Sequence, residues 1–272
     1  MLRNSREARA RNHASVRRFH FLCVESRVTT LFYRSSCSIR VAPRLLVQRF
    51  VMYGEVDEHV SLDRPDRERI HLNKVAIRLL QHDLVMPRRN ILRYDHPSPD
   101  TPFPVEYAFH LLGDLAGKAI VDFGCGDGVN TVILAGLGAR VIAVDISDKS
   151  LENTANRIQA NRLERNVLLV HGDAMAIPVA DGAVDGVLCA AILRHVDCLA
   201  AARQIRRILK PGGIATFVEQ VTGANWLARL KGRPLTMQQV NSISRAVGMP
   251  GHSRKFVRGL ASRMVWEARK ES

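Results

Sequence analysis

The chain has 272 residues, 46% hydrophobic, 24% charged and 6% aromatic, which suits one α/β domain with appendages or two small domains and excludes collagen-like, coiled-coil and wholly disordered chains. No apolar run approaches the ~18 residues of a transmembrane helix. Its five cysteines (Cys23, Cys37, Cys125, Cys189, Cys198) are widely spaced without a CxxC pair, so neither a disulfide framework nor a zinc ribbon is indicated, no metal is expected, and a reducing compartment fits.

The formal charge of +14 lies mostly at the front: residues 1–51 hold eleven arginines and no lysine against Glu7 and Glu25. This Arg- and Ser-rich extension has three readings. It is a mitochondrial-type transit peptide, a nucleic-acid-binding arm, or no part of the native domain, with translation beginning at Met52 where the composition changes. Residues 52–104 read as a cover segment with one helix over 72–84, closed by the proline-punctuated stretch from His96 to Pro104, which resists helix and reads as a linker or covering loop.

From Val105 the pattern becomes regular. Val105, Ala108, Phe109 and Leu112 have helical spacing. Strands are predicted over Ala119–Phe123, 140–146, 166–171, Val184–Ala190 and 213–220. Ser147 caps a helix whose Leu151, Ala155 and Ile158 share a face. Cys198, Ala202, Ile205 and Leu209 form another stripe, stopped by Pro211-Gly212-Gly213. Strands that are apolar nearly throughout and alternate with helices imply a doubly wound, mostly parallel sheet covered on both faces.

The most informative segment is Val121-Asp122-Phe123-Gly124-Cys125-Gly126-Asp127-Gly128, where the first strand turns into a helix. Alternate glycines let the backbone bend tightly and approach a ligand closely. The GxGxG spacing is neither the GxGxxG of dinucleotide enzymes nor a GxxxxGK[ST] phosphate loop. Asp122 and Asp127 at its mouth suit a cationic ligand better than a pyrophosphate. Asp145, at the tip of the second strand, can accept from both hydroxyls of a ribose, and Asp173 after the third strand can accept from an adenine amine. Cys125 reads as a packing choice between glycines, and Asp185 as a residue that fixes a strand entry. Glu219 reads either as a crevice residue or as a buried acceptor.

Over about residues 105–220 the chain resembles the class I S-adenosylmethionine-dependent methyltransferases, particularly the small-molecule, ubiquinone/menaquinone-type branch. Six motifs occur in order: the glycine motif, the acidic second strand ending in Asp145, Gly172-Asp173-Ala174 with Pro178, Asp181-Gly182-Ala183-Val184-Asp185, the loop Ile192-Leu193-Arg194-His195-Val196-Asp197, and Arg207-Ile208-Leu209-Lys210-Pro211-Gly212-Gly213. The resemblance implies a Rossmann-like sheet of seven strands, with Met264 to Lys270 as the last, antiparallel one, and a domain over 105–272 with a short cap.

It also implies S-adenosylmethionine as cofactor, a small-molecule methyl acceptor and direct transfer to an O, N or C nucleophile. Gly124, Cys125, Gly126 and Gly128 would approach the methionyl part, with Asp122 near its ammonium. Asp145 and Ile146 would hold the ribose side, Asp173 and Ala174 the adenine. Cys189 and Ala190 would line the pocket near the methyl, and His195 would act as general base or substrate contact. Should His195 prove structural, Glu219 or Tyr94 stands next. Arg194 departs from the family's pattern and favours an anionic acceptor. The alternative is an RNA methyltransferase or a silent binding module. The absence of [DN]PP[YFW] after the fourth strand counts against amino-directed nucleic-acid enzymes. A cytoplasmic location is expected, or a mitochondrial one if residues 1–51 are a transit peptide.

Overall fold

The structure is a computed structural model that describes residues 84–221, 234–258 and 261–271. The expectations for residues 1–51, for most of the helix over 72–84 and for a cap just after the fifth strand lie outside the described residues. In chain order the elements are α1 (Arg88–Leu92), α2 (Pro104–Leu112), β1 (Ala119–Phe123), α3 (Val129–Gly136), β2 (Arg140–Asp145), α4 (Asp148–Ala160), β3 (Val167–His171), β4 (Val184–Ala190), α5 (Cys198–Ile208), β5 (Leu209–Val221), α6 (Met237–Val247), β6 (Met249–Arg258) and β7 (Ala261–Arg269).

All five residues of β1 are buried, which requires a strand covered on both faces. It lies parallel between β2 and β4, and the sheet order is β3-β2-β1-β4-β5-β7-β6. Chain direction reverses its progress at the β1/β4 boundary, which opens a crevice at the carboxyl ends of these strands, the position where such sheets receive ligands. One face packs Ile120, Val141 and Leu188 against Phe109 of α2, Ile133 of α3 and Ile158 of α4. The other packs Val121, Val187 and Phe217 against Ile205 of α5 and Ile243 of α6.

The predicted β1 and β4 coincide with the observed strands, and β2 and β3 are each one residue shorter. β5 begins at Leu209 rather than Gly213, because Leu209 already pairs with Val184 before the register shifts. Pro211-Gly212-Gly213 therefore forms an irregularity inside a strand and does more than stop a helix; Gly212 has φ +72°. β7 runs antiparallel to both β5 and β6 and starts three residues earlier than the predicted strand at Met264. β6 has no counterpart among the predicted strands. It is an edge strand carrying Pro250, which an edge tolerates.

The proline-rich stretch is a covering loop. Arg254 of β6 donates to the Pro99 and Thr101 carbonyl oxygens, and the Thr101 hydroxyl donates to Glu106 of α2. Asp185 fixes strand entry as expected. It accepts from the Ala119 amide at 2.8 Å and from Lys210 Nζ at 2.6 Å, tying together β1, β4 and β5. Arg207 ties α5 to the segment before β4 through the Ile177 and Val179 carbonyl oxygens and Asp181.

Candidate functional site

The turn after β1 is held on three sides. The Gly124 and Cys125 amides donate to the Val144 carbonyl oxygen of β2 at 2.8 and 3.0 Å. The Gly126 amide donates to Asp145 Oδ2 at 3.0 Å. From α4, the Thr154 hydroxyl donates to the Gly126 carbonyl oxygen, and Arg157 donates to both the main-chain oxygen and the carboxylate of Asp127. The Asp127 charge is therefore matched by Arg157, which reduces the net negative charge expected of Asp122 and Asp127 at the mouth of the turn.

The glycines differ in what surrounds them. A Cβ on Gly128 (φ +81°) would meet the Thr154 backbone and side chain at 2.9 Å, so this glycine is required for helix packing. Gly126 (φ +57°) has nothing within 4 Å at that position, so the backbone of the turn faces open space there. Cys125 is buried with its sulfur 3.6 Å from Thr154 Oγ1, and burial pushes its thiol well up, which fits a packing role.

Two carboxylates close the crevice from below. Asp122 is buried on β1 and accepts from the Thr131 hydroxyl of α3. Burial pushes its carboxyl up to about 7, against that hydrogen bond and with added repulsion from Asp145 and Asp127. Asp145 accepts one amide on each oxygen, Ser147 on Oδ1 and Gly126 on Oδ2. Burial raises its pKa while these amides oppose the rise. Ile146 offers its carbonyl oxygen to His171 Nε2 at 3.0 Å. Asp173 holds the next turn by accepting the Met175 amide, with Ala174 buried beside it. Gly172 lets Pro178 close over this turn, since a Cβ there would meet the proline ring at 2.7 Å.

Beyond β4 the structure separates residues that the sequence grouped. Cys189 is fully buried in the core with Phe217 and Leu193, so its thiol packs and does not line a crevice. Ala190 belongs to the opposite face, beside the other core cluster. His195 is partly exposed and accepts at Nε2 from Arg194 Nε at 2.9 Å. Glu219 proves to be a buried acceptor, taking the Leu193 amide at 2.7 Å. Tyr94 packs on Phe109, with ring centroids 4.9 Å apart. Thr131, Thr154 and Arg157 hold Asp122 and the glycine turn, and the sequence reading missed them. Their signal was polar residues on the inward faces of amphipathic helices.

The glycine turn, the acidic ends of β2 and β3 and the loop after β4 all lie at the carboxyl ends of the parallel strands. Residues 121–217 match the family described as a methyltransferase domain. Among curated proteins, the chain is 35% identical over 112 residues to a demethylmenaquinone methyltransferase of Lactococcus lactis, covering 40% of this chain and 44% of that one. It is 34% identical over 146 residues to a ubiquinone biosynthesis O-methyltransferase of Xanthomonas oryzae, covering 47% and 58% respectively. The chain thus spans about half the length of the curated relatives it matches. Among solved structures, geranyl diphosphate C-methyltransferase from Streptomyces coelicolor superposes with a TM-score of 0.59 at 15% identity, over 77% of this chain and 99% of that one. At that identity the likeness is one of fold. Among the described residues no helix is long and apolar enough to cross a membrane.

Proposed function

We propose that this chain binds S-adenosylmethionine at the carboxyl ends of β1, β2 and β3 and transfers its methyl group to a nucleophilic atom of a small molecule, a ring hydroxyl or ring carbon of a quinol-like compound being the first candidate. One observation carries the reading: open space at Gly126, where any side chain is absent, lies beside the buried Asp145 carboxylate that holds its amide. The Asp145 carboxylate takes the Gly126, Ser147 and Ile146 amides, and two oxygens with about four lone pairs keep acceptor capacity for a ribose hydroxyl. In this reading Asp173 accepts the adenine amine, with the Ala174 amide beside it, and Asp122 is the carboxylate on the ammonium side. Gly124, Cys125 and Gly128 shape the turn by backbone, and Ile146 forms the wall after Asp145.

When bound, the cofactor supplies an electrophilic methyl group on a sulfonium centre. The chain's contribution is alignment, which by itself is worth several powers of ten in rate. The loop after β4 forms the acceptor side: His195 takes or holds the nucleophile's proton, and Arg194 favours an anionic acceptor. The quinone-type relatives support the substrate class.

Calorimetry with S-adenosylhomocysteine, followed by transfer of labelled methyl into a panel of phenols and quinols and into a metabolite extract, tests the reading. Binding and a labelled small product are expected. An absence of binding by the intact chain would overturn it.

A further inference from the structure

The turn after β4 is anchored by two successive residues of β5. Glu219 Oε1 accepts the Leu193 amide at 2.7 Å, and Gln220 Oε1 receives Arg194 Nη1 at a longer 3.4 Å. Arg194 then donates from Nε to His195 Nε2 at 2.9 Å. The Glu219 carboxylate is 1% exposed, and its Oε2 has no hydrogen-bond partner. A buried carboxylate with an orphaned oxygen is costly where packing alone is needed, since an apolar side chain would fill the space without desolvating a charge. Glu219 holds the residue just before Arg194, and the Arg194 charge acts on its carboxyl.

We propose that Glu219 is a positioning residue of the acceptor side: it holds the 192–195 turn and, by opposing the charge of Arg194, sets the basicity of His195. This rests on the reading of His195 given above. Ionised Glu219 offsets the Arg194 cation, so His195 accepts a proton more readily. Neutral Glu219 leaves the cation unopposed, and the ring stays neutral with Nε2 accepting from Arg194.

Burial pushes the Glu219 carboxyl up to about 7, against the Leu193 and Ile192 amides and the Arg194 charge, so its charge changes in the range where histidine titrates. Of the groups around it the thiols are quiet there, whereas Asp122 is likewise pushed up to about 7. Cys189 on β4 and Cys198 at the start of α5 both feel Glu219, and both thiols are pushed up by burial and remain neutral. Asp122 of β1 reaches this neighbourhood only through Cys189. Asp197 is engaged with the Leu199 and Ala200 amides, and β7 presents Met264 opposite Glu219.

The test is a pH titration of the full chain carrying ¹³Cε1-labelled histidine, with the His195 signal assigned by its loss in His195→Gln. The intact chain is expected to show two inflections at His195, its own and that of Glu219. Glu219→Gln keeps an acceptor for the Leu193 amide. It should abolish the second inflection and lower the His195 midpoint by about one unit, the scale of one charge acting through a partly buried site. An unchanged midpoint overturns the proposal. Should Glu219→Gln fail to fold, Asp122→Asn decides: a second inflection that persists in it supports the proposal, and a single inflection in the intact chain, or a second one lost in Asp122→Asn, overturns it. Failure of the methyltransferase reading is separate, because it appears as absent S-adenosylhomocysteine binding and leaves the histidine titration readable.

Discussion

Arg157 Nε donates to the Asp127 main-chain oxygen at 2.9 Å while its Nη2 meets the Asp127 carboxylate at 3.2 Å, so one side chain of α4 fixes both the backbone and the charge of the residue between Gly126 and Gly128. The Arg157 side chain is 10% exposed and that of Asp127 32% exposed, so removing the guanidinium leaves Asp127 partly able to rehydrate. Arg157→Met is expected to cost about 1–2 kcal/mol in stability. It should also weaken S-adenosylhomocysteine binding by roughly tenfold, since a loosened turn must be ordered on binding. Melting curves and calorimetry read the two effects. Lost stability with unchanged affinity would show that the turn keeps its shape without the clamp.

Two alanine substitutions in that turn should separate folding from binding. Gly126→Ala places a methyl group in open space at φ +57°, costing about 1–2 kcal/mol of left-handed strain, but it fills the space proposed for the cofactor. Gly128→Ala adds a clash with Thr154 at 2.9 Å to the strain at φ +81°, so it should lower stability by about 2–4 kcal/mol. The expected pattern is a folded Gly126→Ala without measurable cofactor affinity and a Gly128→Ala that melts much earlier. Retained affinity in Gly126→Ala would remove this space from the site.

These contacts also show what the sequence could disclose. β1 and β4 were readable residue for residue because their near-continuous apolar runs are bounded by glycine, proline and aspartate. Asp145 and Asp173 were readable because strand ends are fixed by the same pattern. The Thr154 and Arg157 clamp was not, since its partners stand 28 and 30 residues away and only packing of α4 against the turn brings them together. β6 escaped because His252, Ser253, Arg254 and Lys255 on a sheet edge leave no alternation of apolar and polar residues. Cys189 is buried in one core cluster and Ala190 packs on the other, because both faces of β4 are covered by helices and a strand position alone does not separate a packed side chain from one at the open end.

Asp122 should make stability fall as pH rises. Its folded pKa of about 7 stands above the unfolded value of 3.8. Below about pH 4 both states hold the proton and no penalty exists; between 4 and 7 only the unfolded state ionises readily, so folding loses ground. Above 7 the penalty is complete, on the order of 3–4 kcal/mol. Asp122→Asn keeps an acceptor for the Thr131 hydroxyl and removes the penalty, so it should be more stable than the parent at pH 8 and converge with it near pH 4. Urea unfolding across that range checks this. The cationic cofactor favours ionised Asp122, so binding at pH 6.5 should release a proton, seen as a buffer-dependent calorimetric enthalpy.

Asp145→Ala removes the acceptor proposed for the ribose and also releases the Gly126 and Ser147 amides. The expected loss is about 1.5–3 kcal/mol, or roughly ten- to more than a hundred-fold in S-adenosylhomocysteine affinity. A nucleoside panel sharpens the test: 2′-deoxyadenosine derivatives should bind the parent weakly and lose little further in Asp145→Ala. Equal losses for ribo and deoxy ligands would mean that the carboxylate serves the turn alone.

His195 is the residue on which the acceptor side depends. With Nε2 accepting from Arg194, the neutral ring carries its proton on Nδ1, and removal of a substrate proton through Nε2 requires the arginine to swing away. If His195 is the base, His195→Ala should lower turnover by ~10²–10⁴ with cofactor affinity unchanged. If it only contacts the acceptor, the Michaelis constant should rise with turnover largely retained. Arg194→Gln distinguishes the cases further. Removing the cation makes the ring easier to protonate, so the acidic limb of the kcat/KM profile, which reports loss of the neutral base, should move to higher pH, while anionic acceptors lose affinity. A profile and Michaelis constant that stay fixed in both variants would make His195 structural and move the transfer site elsewhere along the carboxyl ends of β4 and β5.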